Sequence, residues 1–210
     1  MRAPLAIALV AALYAAPAAA ADSGSEVRNL AGFDRIRIDG GADLNVRVGE
    51  SFSVTVASDD AEYLPSIETD VRGDTLVIDT KNRRRWRNPD VEVTIMMPAF
   101  RGLQVSGATD ASISDVDGGD VDISVSGAAD LTIDGTCGKL DLHVSGAGDI
   151  SARDLKCRSA YVRLSGAGDA DVFASEDADI AISGVGDVEV YGSPKNVRKK
   201  GTFLGSIEIH

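Results

Sequence analysis

The sequence predicts an all-β protein: a right-handed parallel β-helix or β-solenoid with about 19 residues per coil, preceded by an irregular β-rich N-terminal portion. Three observations support this fold class. A five-residue phrase, Ser-Gly-Ala-x-Asp, recurs at nearly constant spacing, apolar and polar residues alternate on both sides of it, and the chain combines 22 glycines with only 5% aromatic residues. A short unit with one apolar face can bury that face only against its neighbours, which favours a stack of coils.

The repeated phrase marks the same structural position in each coil. Its five copies begin at Ser106, Ser126, Ser145, Ser165 and Ser183, the last with valine in place of alanine. The second residue is always glycine, which indicates a positive φ angle or the close approach of another backbone. The flanking alternation should turn apolar side chains inward, where they stack in columns. We interpret the phrase as the corner on which each coil bends, with residues 39–43 as a divergent first copy.

The domain boundaries follow from where this regularity begins. We predict a single domain over residues 27–210, with the irregular portion at 27–102 and the regular coils at 103–210. In the irregular portion, two alternating stretches flank Gly49-Glu50-Ser51. That pattern predicts a β-hairpin between them.

The N-terminal residues predict export. Residues 1–21 contain a positive start, an apolar stretch and a run of alanines, which together are typical of a secretory signal peptide. Residues 22–26 would then form a short linker. No second long apolar run follows, so we expect no transmembrane segment in the mature chain. The net charge of −12 disfavours binding to nucleic acid. A periplasmic or cell-surface location is expected.

The aspartates of the phrase should form a ladder of like charges, one per coil. Such a ladder must be solvated, bonded to corner amides or bridged by a cation. Calcium is one hypothesis, with Asp130, Asp149 and Asp169 as the candidate ligands. Carboxylates about 5 Å apart could also serve glycoside hydrolysis. Against catalysis, nothing singular accompanies any one copy, and the two histidines, His143 and His210, are not part of a recognisable triad.

The two cysteines occupy equivalent places on adjacent coils. Cys137 and Cys157 each lie eight residues before the next serine of the phrase. Neighbouring strands place Cα atoms near the separation that a disulfide needs, and an exported protein meets an oxidising compartment. We predict a disulfide between them; the alternative is a pair of buried thiols.

A basic run interrupts this acidic sequence before the coils begin. Residues 81–87 hold five positive charges and the only tryptophan. Arginines pair bidentately with anionic groups, and tryptophan can stack on a sugar face. The binding candidates are therefore Arg83, Arg84, Arg85, Trp86 and Arg87. The alternative is a solvated loop that pairs with the acidic coils.

Three stretches resemble a known family, the auto-transporter adhesins with a head GIN domain. They are Phe33-Asp34 and the residues that follow to Val48, Leu103-Gln104-Val105-Ser106-Gly107, and the closing run from Gly186 to Lys195. At the place of the name-giving Gly-Ile-Asn, this chain has Gly41-Ala42-Asp43. The resemblance implies a β-solenoid of the bacterial cell envelope with no established catalysis, and it transfers no site residues.

The expected function is therefore that of a non-enzymatic, exported, adhesin-like binding or scaffolding protein of the cell envelope. No catalytic residue and no cofactor are predicted. The expected partner is an anionic envelope glycan or another envelope protein. A carbohydrate-active enzyme and a calcium-stiffened structural module are the alternative functions, and the sequence leaves the oligomeric state open.

Overall fold

The computed structural model describes residues 23–81, 89–201 and 205–210, and it confirms the predicted all-β solenoid. The described residues form sixteen strands of one continuous sheet and a single 3-10 helix, Ala61–Ser66. The strands before the regular coils are β1 Gly24–Arg28, β2 Arg35–Asp39, β3 Asp43–Val48, β4 Ser53–Ser58, β5 Glu68–Arg72, β6 Thr75–Asp79 and β7 Val91–Met97. Those of the coils are β8 Gly102–Val105, β9 Ala108–Asp117, β10 Val121–Val125, β11 Ala128–Val144, β12 Ile150–Leu164, β13 Ala170–Ile182, β14 Val188–Tyr191, β15 Asn196–Lys200 and β16 Ile207–Ile209.

Each coil has a front face before its corner and a rear face after it. The front face is a run of parallel strands in the order β6, β2, β8, β10, the second halves of β11, β12 and β13, and β15. The rear face runs through β7, β3, β9, the first halves of β11, β12 and β13, then β14 and β16. The corners line one edge of the solenoid between these two faces.

The core consists of the predicted columns of apolar side chains. Val125, Val144, Leu164 and Ile182 are register partners on successive coils, and each is no more than 2% exposed. The same alternation buries the apolar residues after each corner, such as Leu131 on β11. Each such side chain contributes about 1.5–3 kcal/mol by leaving water. Because these apolar side chains are buried by contact with their partners on adjacent coils, the stability of the core depends on keeping the coils in register.

The glycine at the second position of the phrase allows the corners to stack. A Cβ atom added to Gly166 would lie 1.7 Å from the carbonyl oxygen of Gly146, and the other copies show separations of 1.5–1.8 Å. None of these glycines has a positive φ angle, so close backbone approach is the operative reason. The fourth-position glycines, such as Gly168 with φ 138°, supply the left-handed conformation instead.

The first coil of the chain is not at the end of the stack. Gly41 bridges Ala108, and Gly40 supplies the carbonyl that Gly107 approaches, so residues 39–43 are the divergent first copy of the corner, as predicted. Yet β6 and β7, which come later in the sequence, pair with the outer edges of β2 and β3. The irregular portion therefore contains two coils, and the second of them along the chain, made by β6 and β7, lies outside the first, made by β2 and β3.

The predicted hairpin on either side of Gly49-Glu50-Ser51 is wrong. Strands β3 and β4 do not pair with each other, because β7 lies between them, parallel to β3 and antiparallel to β4. Alternation correctly identifies both strands, but it carries no information about the partner. Here β7 continues the parallel rear face, and β4 takes the next free edge.

Antiparallel strands close the N-terminal end of the solenoid. Strand β1 pairs with β4 on the rear face, and β5 pairs with β6 on the front face. Since β1 begins at Gly24, residues 24–26 of the predicted linker belong to a strand. The middle residues of β1 are exposed, since the strand lies at an edge of the sheet.

The predicted disulfide is confirmed. Cys137 and Cys157 are register partners on β11 and β12, with their Cα atoms 4.4 Å apart and their sulfur atoms bonded. The bond closes a loop across one full coil, for which chain entropy gives about 3 kcal/mol of stabilisation.

We expect Gly166→Ala to lower the free energy of unfolding by about 3 kcal/mol, because the new methyl group meets backbone that cannot move without breaking the register. The matched control is Gly41→Ala, whose Cβ would lie 3.5 Å from its nearest neighbour, at a position where the other copies carry alanine or valine. That control should be stabilised slightly, by about 0.4–1 kcal/mol. Denaturant unfolding of both variants makes the measurement, and equal effects would contradict the stacking argument.

Candidate binding surfaces

The outermost corner of the solenoid is enlarged. Three residues separate Asp39 from Asp43, whereas twelve separate their register partners Asp79 and Glu92, so this corner is nine residues longer than its neighbour. The extra length contains the basic run. Arg83, Arg84, Arg85, Trp86 and Arg87 lie outside the described residues, and the structure places only the two ends from which they extend.

The ends of the enlarged corner are fixed to the first copy of the phrase. The Thr80 hydroxyl accepts a hydrogen bond from the Gly41 amide at 2.8 Å and donates one to the Gly41 carbonyl at 3.1 Å. The Tyr63 hydroxyl donates to the Thr80 carbonyl at 3.0 Å. Beside them is a hollow of about 240 Å³ that Tyr63, Thr80 and Pro89 help to line. These hydrogen bonds therefore hold the chain at Thr80, where the enlarged corner begins.

A buried carboxylate holds this corner together. Asp39 is 7% exposed and accepts hydrogen bonds from Arg37 at 2.9 Å, from Lys81 at 3.2 Å and from the Ser106 hydroxyl. Burial alone would raise the pKa of the Asp39 carboxyl, but hydrogen bonds from Ser106, Arg37 and Lys81 outweigh it and lower that pKa from 3.8 to about 2. Lys81, one of the five cations of the basic run, is thereby engaged in the fold.

Asp39 should make the stability of the protein depend on pH in acid. A depressed native pKa stabilises the fold above the unfolded value of 3.8, and that contribution is lost as the pH falls towards about 2. In an Asp39→Asn variant the contribution is missing at every pH. We therefore expect the difference in unfolding free energy between wild type and variant to be largest near neutrality and to shrink across this window. A difference that stays constant down to pH 2 would contradict the assignment.

The predicted aspartate ladder is bonded to corner amides. In three coils the Oδ1 atom of the aspartate accepts a hydrogen bond from the backbone amide of the aspartate one coil further on. The Asp149 amide donates to Asp130 at 3.2 Å, the Asp169 amide to Asp149 at 3.1 Å and the Asp187 amide to Asp169 at 2.8 Å. Ser206 continues the ladder by donating its amide and its hydroxyl to Asp187, and these bonds lower the pKa of that carboxyl. The carboxylates of Asp130, Asp149, Asp169 and Asp187 thus receive a donor from the next coil.

This ladder predicts different effects for two substitutions at one position. Asp169→Asn keeps an oxygen that can accept the Asp187 amide, so its free energy of unfolding should stay close to that of wild type. Asp169→Ala leaves the amide without this partner and should lose about 1 kcal/mol. Urea unfolding of both variants at neutral pH measures the difference. A gain in stability for the alanine variant would mean that repulsion within the ladder outweighs the hydrogen bond.

A second row of polar side chains follows the ladder on the rear face. Its register partners change from hydroxyls to carboxylates towards the C-terminal end, where Ser151 is followed by Asp171, Glu189 and Glu208. Together the two rows border an open groove of about 490 Å³. Burial raises the pKa of Asp171, and the nearby Glu189 raises it further against the opposing Arg153. The surface formed by these two rows therefore has a negative potential.

The sequence profile of one protein family, described as "Putative auto-transporter adhesin, head GIN domain", matches residues 32–194. The chain belongs to the head GIN domain family. No match was found among functionally curated proteins. The predicted resemblance is thus confirmed, and the family description points to adhesion rather than to catalysis.

Solved structures similar to this head GIN domain share its fold. One, described as a putative adhesin from Bacteroides fragilis, is 20% identical with a TM-score of 0.63, over 90% of this chain and 97% of that one. A putative lipid binding protein from Parabacteroides distasonis is 18% identical with a TM-score of 0.51, over 90% and 97% of the two chains. A putative adhesin from the same organism has the same identity and TM-score, over 90% and 98%.

Sequence reasoning missed one group of residues in this head GIN domain. Glu189, Glu208 and His210 meet at the C-terminal end of the rear face, beside Tyr191. Alternation could have placed Glu189 and Glu208 in one outward row. The residues on either side of them, Val188 and Val190 on one strand and Ile207 and Ile209 on the other, are register partners. Nothing in the sequence, however, indicated that the terminal histidine would fold back against β14. Within the described ranges, no helix has the length and apolar character needed to span a bilayer.

Proposed function

We propose that this head GIN domain is an exported, non-enzymatic, adhesin-like protein that binds an anionic glycan of the cell envelope through the enlarged corner. The residues proposed for contact are Arg83, Arg84, Arg85, Trp86 and Arg87. The observation that carries the proposal is the nine-residue excess at this one corner of an otherwise repetitive stack. A fold built from equal corners has no structural need for that excess.

The distribution of charge supports this choice of ligand. The whole chain has a net charge of −12, yet five cations fall within residues 81–87. Lys81 is paired with Asp39. The four arginines of the run lie outside the described residues, and they are the cations that we propose for the contact. The acidic rear face would repel an anionic polymer. An anionic partner would therefore be directed to the enlarged corner.

The alternative functions find less support in the repeated aspartates. Asp130, Asp149 and Asp169 each use a carboxylate oxygen to accept an amide of the next coil, which gives the repetition a structural reason without a calcium ion or a reaction. Export itself rests on the signal peptide expected at residues 1–21, and a disulfide-bonded fold suits the periplasm or the cell surface.

The proposal is tested by retention on immobilised heparin and on immobilised lipopolysaccharide, with elution by salt. We expect the triple variant Arg83→Ser, Arg84→Ser, Arg85→Ser to elute at clearly lower salt than wild type, because each ionic contact that is removed weakens the salt-dependent attraction.

The matched control is the triple variant Arg198→Ser, Lys199→Ser, Lys200→Ser, which removes the same charge from the exposed strand β15 at the other end of the solenoid. This control should elute with wild type. Equal elution of all three proteins would overturn the proposal, and so would a larger loss of retention in the β15 variant.

A further inference from the structure

The C-terminal end of the rear face brings two carboxylates and one imidazole together. Glu189 on β14 and Glu208 on β16 are register partners, and His210 follows β16 immediately. One potential ligand atom from each of these three residues lies within 4.8 Å of the others. Among residues 23–81, 89–201 and 205–210, this is the one group of three such side chains that lie so close together.

The spacing within this group matches the coordination sphere of a small metal ion. His210 Nε2 lies 3.3 Å from Glu189 Oε2. Bonds of about 2.0–2.1 Å in a tetrahedral arrangement place neighbouring ligand atoms about 3.3–3.5 Å apart. The imidazole nitrogen and the carboxylate oxygen therefore already lie at the separation that Zn²⁺ would require, and a Glu208 carboxylate oxygen lies within 4.8 Å of both.

Tyr191 fixes both of these ligands. Its ring stacks on the His210 imidazole, with centroids 4.8 Å apart and planes 17° from parallel, and its hydroxyl donates a hydrogen bond to Glu189 Oε2. The backbone of His210 is held as well, since its amide donates to the Val190 carbonyl at 2.8 Å and its carbonyl accepts from the Ser193 amide at 3.1 Å. Orientation of ligands by such outer contacts is typical of metal sites.

The surrounding charges favour a cation at this point. Asp171 precedes Glu189 in the same row, and a cation beside this group, the Arg153 guanidinium, lies over the Tyr191 ring, 4.0 Å from its centroid. Three in-register carboxylates about 4.8 Å apart repel one another, and one divalent cation would relieve that repulsion.

The other histidine shows what a simple ion pair looks like in this protein. His143 Nδ1 lies 3.2 Å from Asp141 Oδ1 on the front face, but its register partner on the next coil is Arg163, and Lys139 also approaches Asp141 at 3.6 Å. Two cations thus flank that pair, whereas the imidazole of His210 lies directly beside the carboxylates of Glu189 and Glu208, and the guanidinium of Arg153 contacts the Tyr191 ring.

We propose that Glu189, Glu208 and His210 form a binding site for a divalent transition-metal ion such as Zn²⁺, with Tyr191 as the residue that positions them. The donor set favours this class of ion, because imidazole nitrogen is a ligand for zinc and its neighbours in the first transition row, while calcium takes oxygen ligands. The site is separate from the enlarged corner and does not depend on the glycan proposal.

The test is a titration of the whole protein with Zn²⁺, after treatment with a chelator and without any polyhistidine tag, followed by calorimetry and by competition with a chromophoric chelator. Wild type should bind one equivalent that millimolar Ca²⁺ does not displace. The variants His210→Ala and Glu189→Gln should each lose at least about 10-fold in affinity, and Tyr191→Phe about 10-fold. His143→Ala is the matched control and should bind as wild type does.

Thermal unfolding in chelator shows that the variants are folded, since without the metal all four should melt within a few degrees of wild type. Absence of a stoichiometric Zn²⁺ equivalent in wild type would overturn the proposal. It would equally be overturned if His143→Ala lost as much affinity as His210→Ala, because the binding would then be that of exposed histidines in general.

Discussion

Every regular coil of this protein bends where one glycine lies against the carbonyl oxygen of another. At the second position of the phrase there is no room for a Cβ atom, and the amide of the following residue bonds that same carbonyl, as Ala147 does with Gly127 at 2.9 Å. Through this contact, the corners of adjacent coils lie as close together as two hydrogen-bonded strands do. Since both faces of a coil start from the corner, their register, and with it every apolar column, depends on the contact.

The same constraint explains where the chain can vary. A regular corner has backbone on both sides and accepts only glycine, so insertions are costly inside the stack. The coil made by β6 and β7 has a neighbour on one side of its corner only, and there the chain is nine residues longer. At the opposite end, no strand in the described part of the chain pairs with the outer edge of β16, and the residues around it depart from the repeat to bring His210 beside Glu189. Both candidate sites thus lie at the ends of the stack.

The repeated aspartates show how a polar pattern can belong to the fold. From Asp130 onwards, each carboxylate accepts a hydrogen bond from an amide of the next coil, so the ladder extends the hydrogen bonding of the corner beyond the backbone itself. The cost is a face with little positive charge, on which Asp171 is held with a raised pKa by its burial and by Glu189. That face disfavours anionic partners and favours cations, which separates the two proposed ligands spatially.

The sequence by itself determined the strands that alternate, the inward columns, the first copy of the corner at 39–43 and the Cys137–Cys157 disulfide. These follow from local alternation and from a period, and both are properties of neighbouring residues. The tertiary structure alone decided which strands are partners: β7 separates β3 from β4, and the second coil of the chain stacks outside the first. Free strand edges accept any strand that alternates, so the choice depends on which edges the other coils leave open. The enlarged corner and the cluster around His210 became visible only once that choice was known, because each is defined by register between residues far apart in the chain.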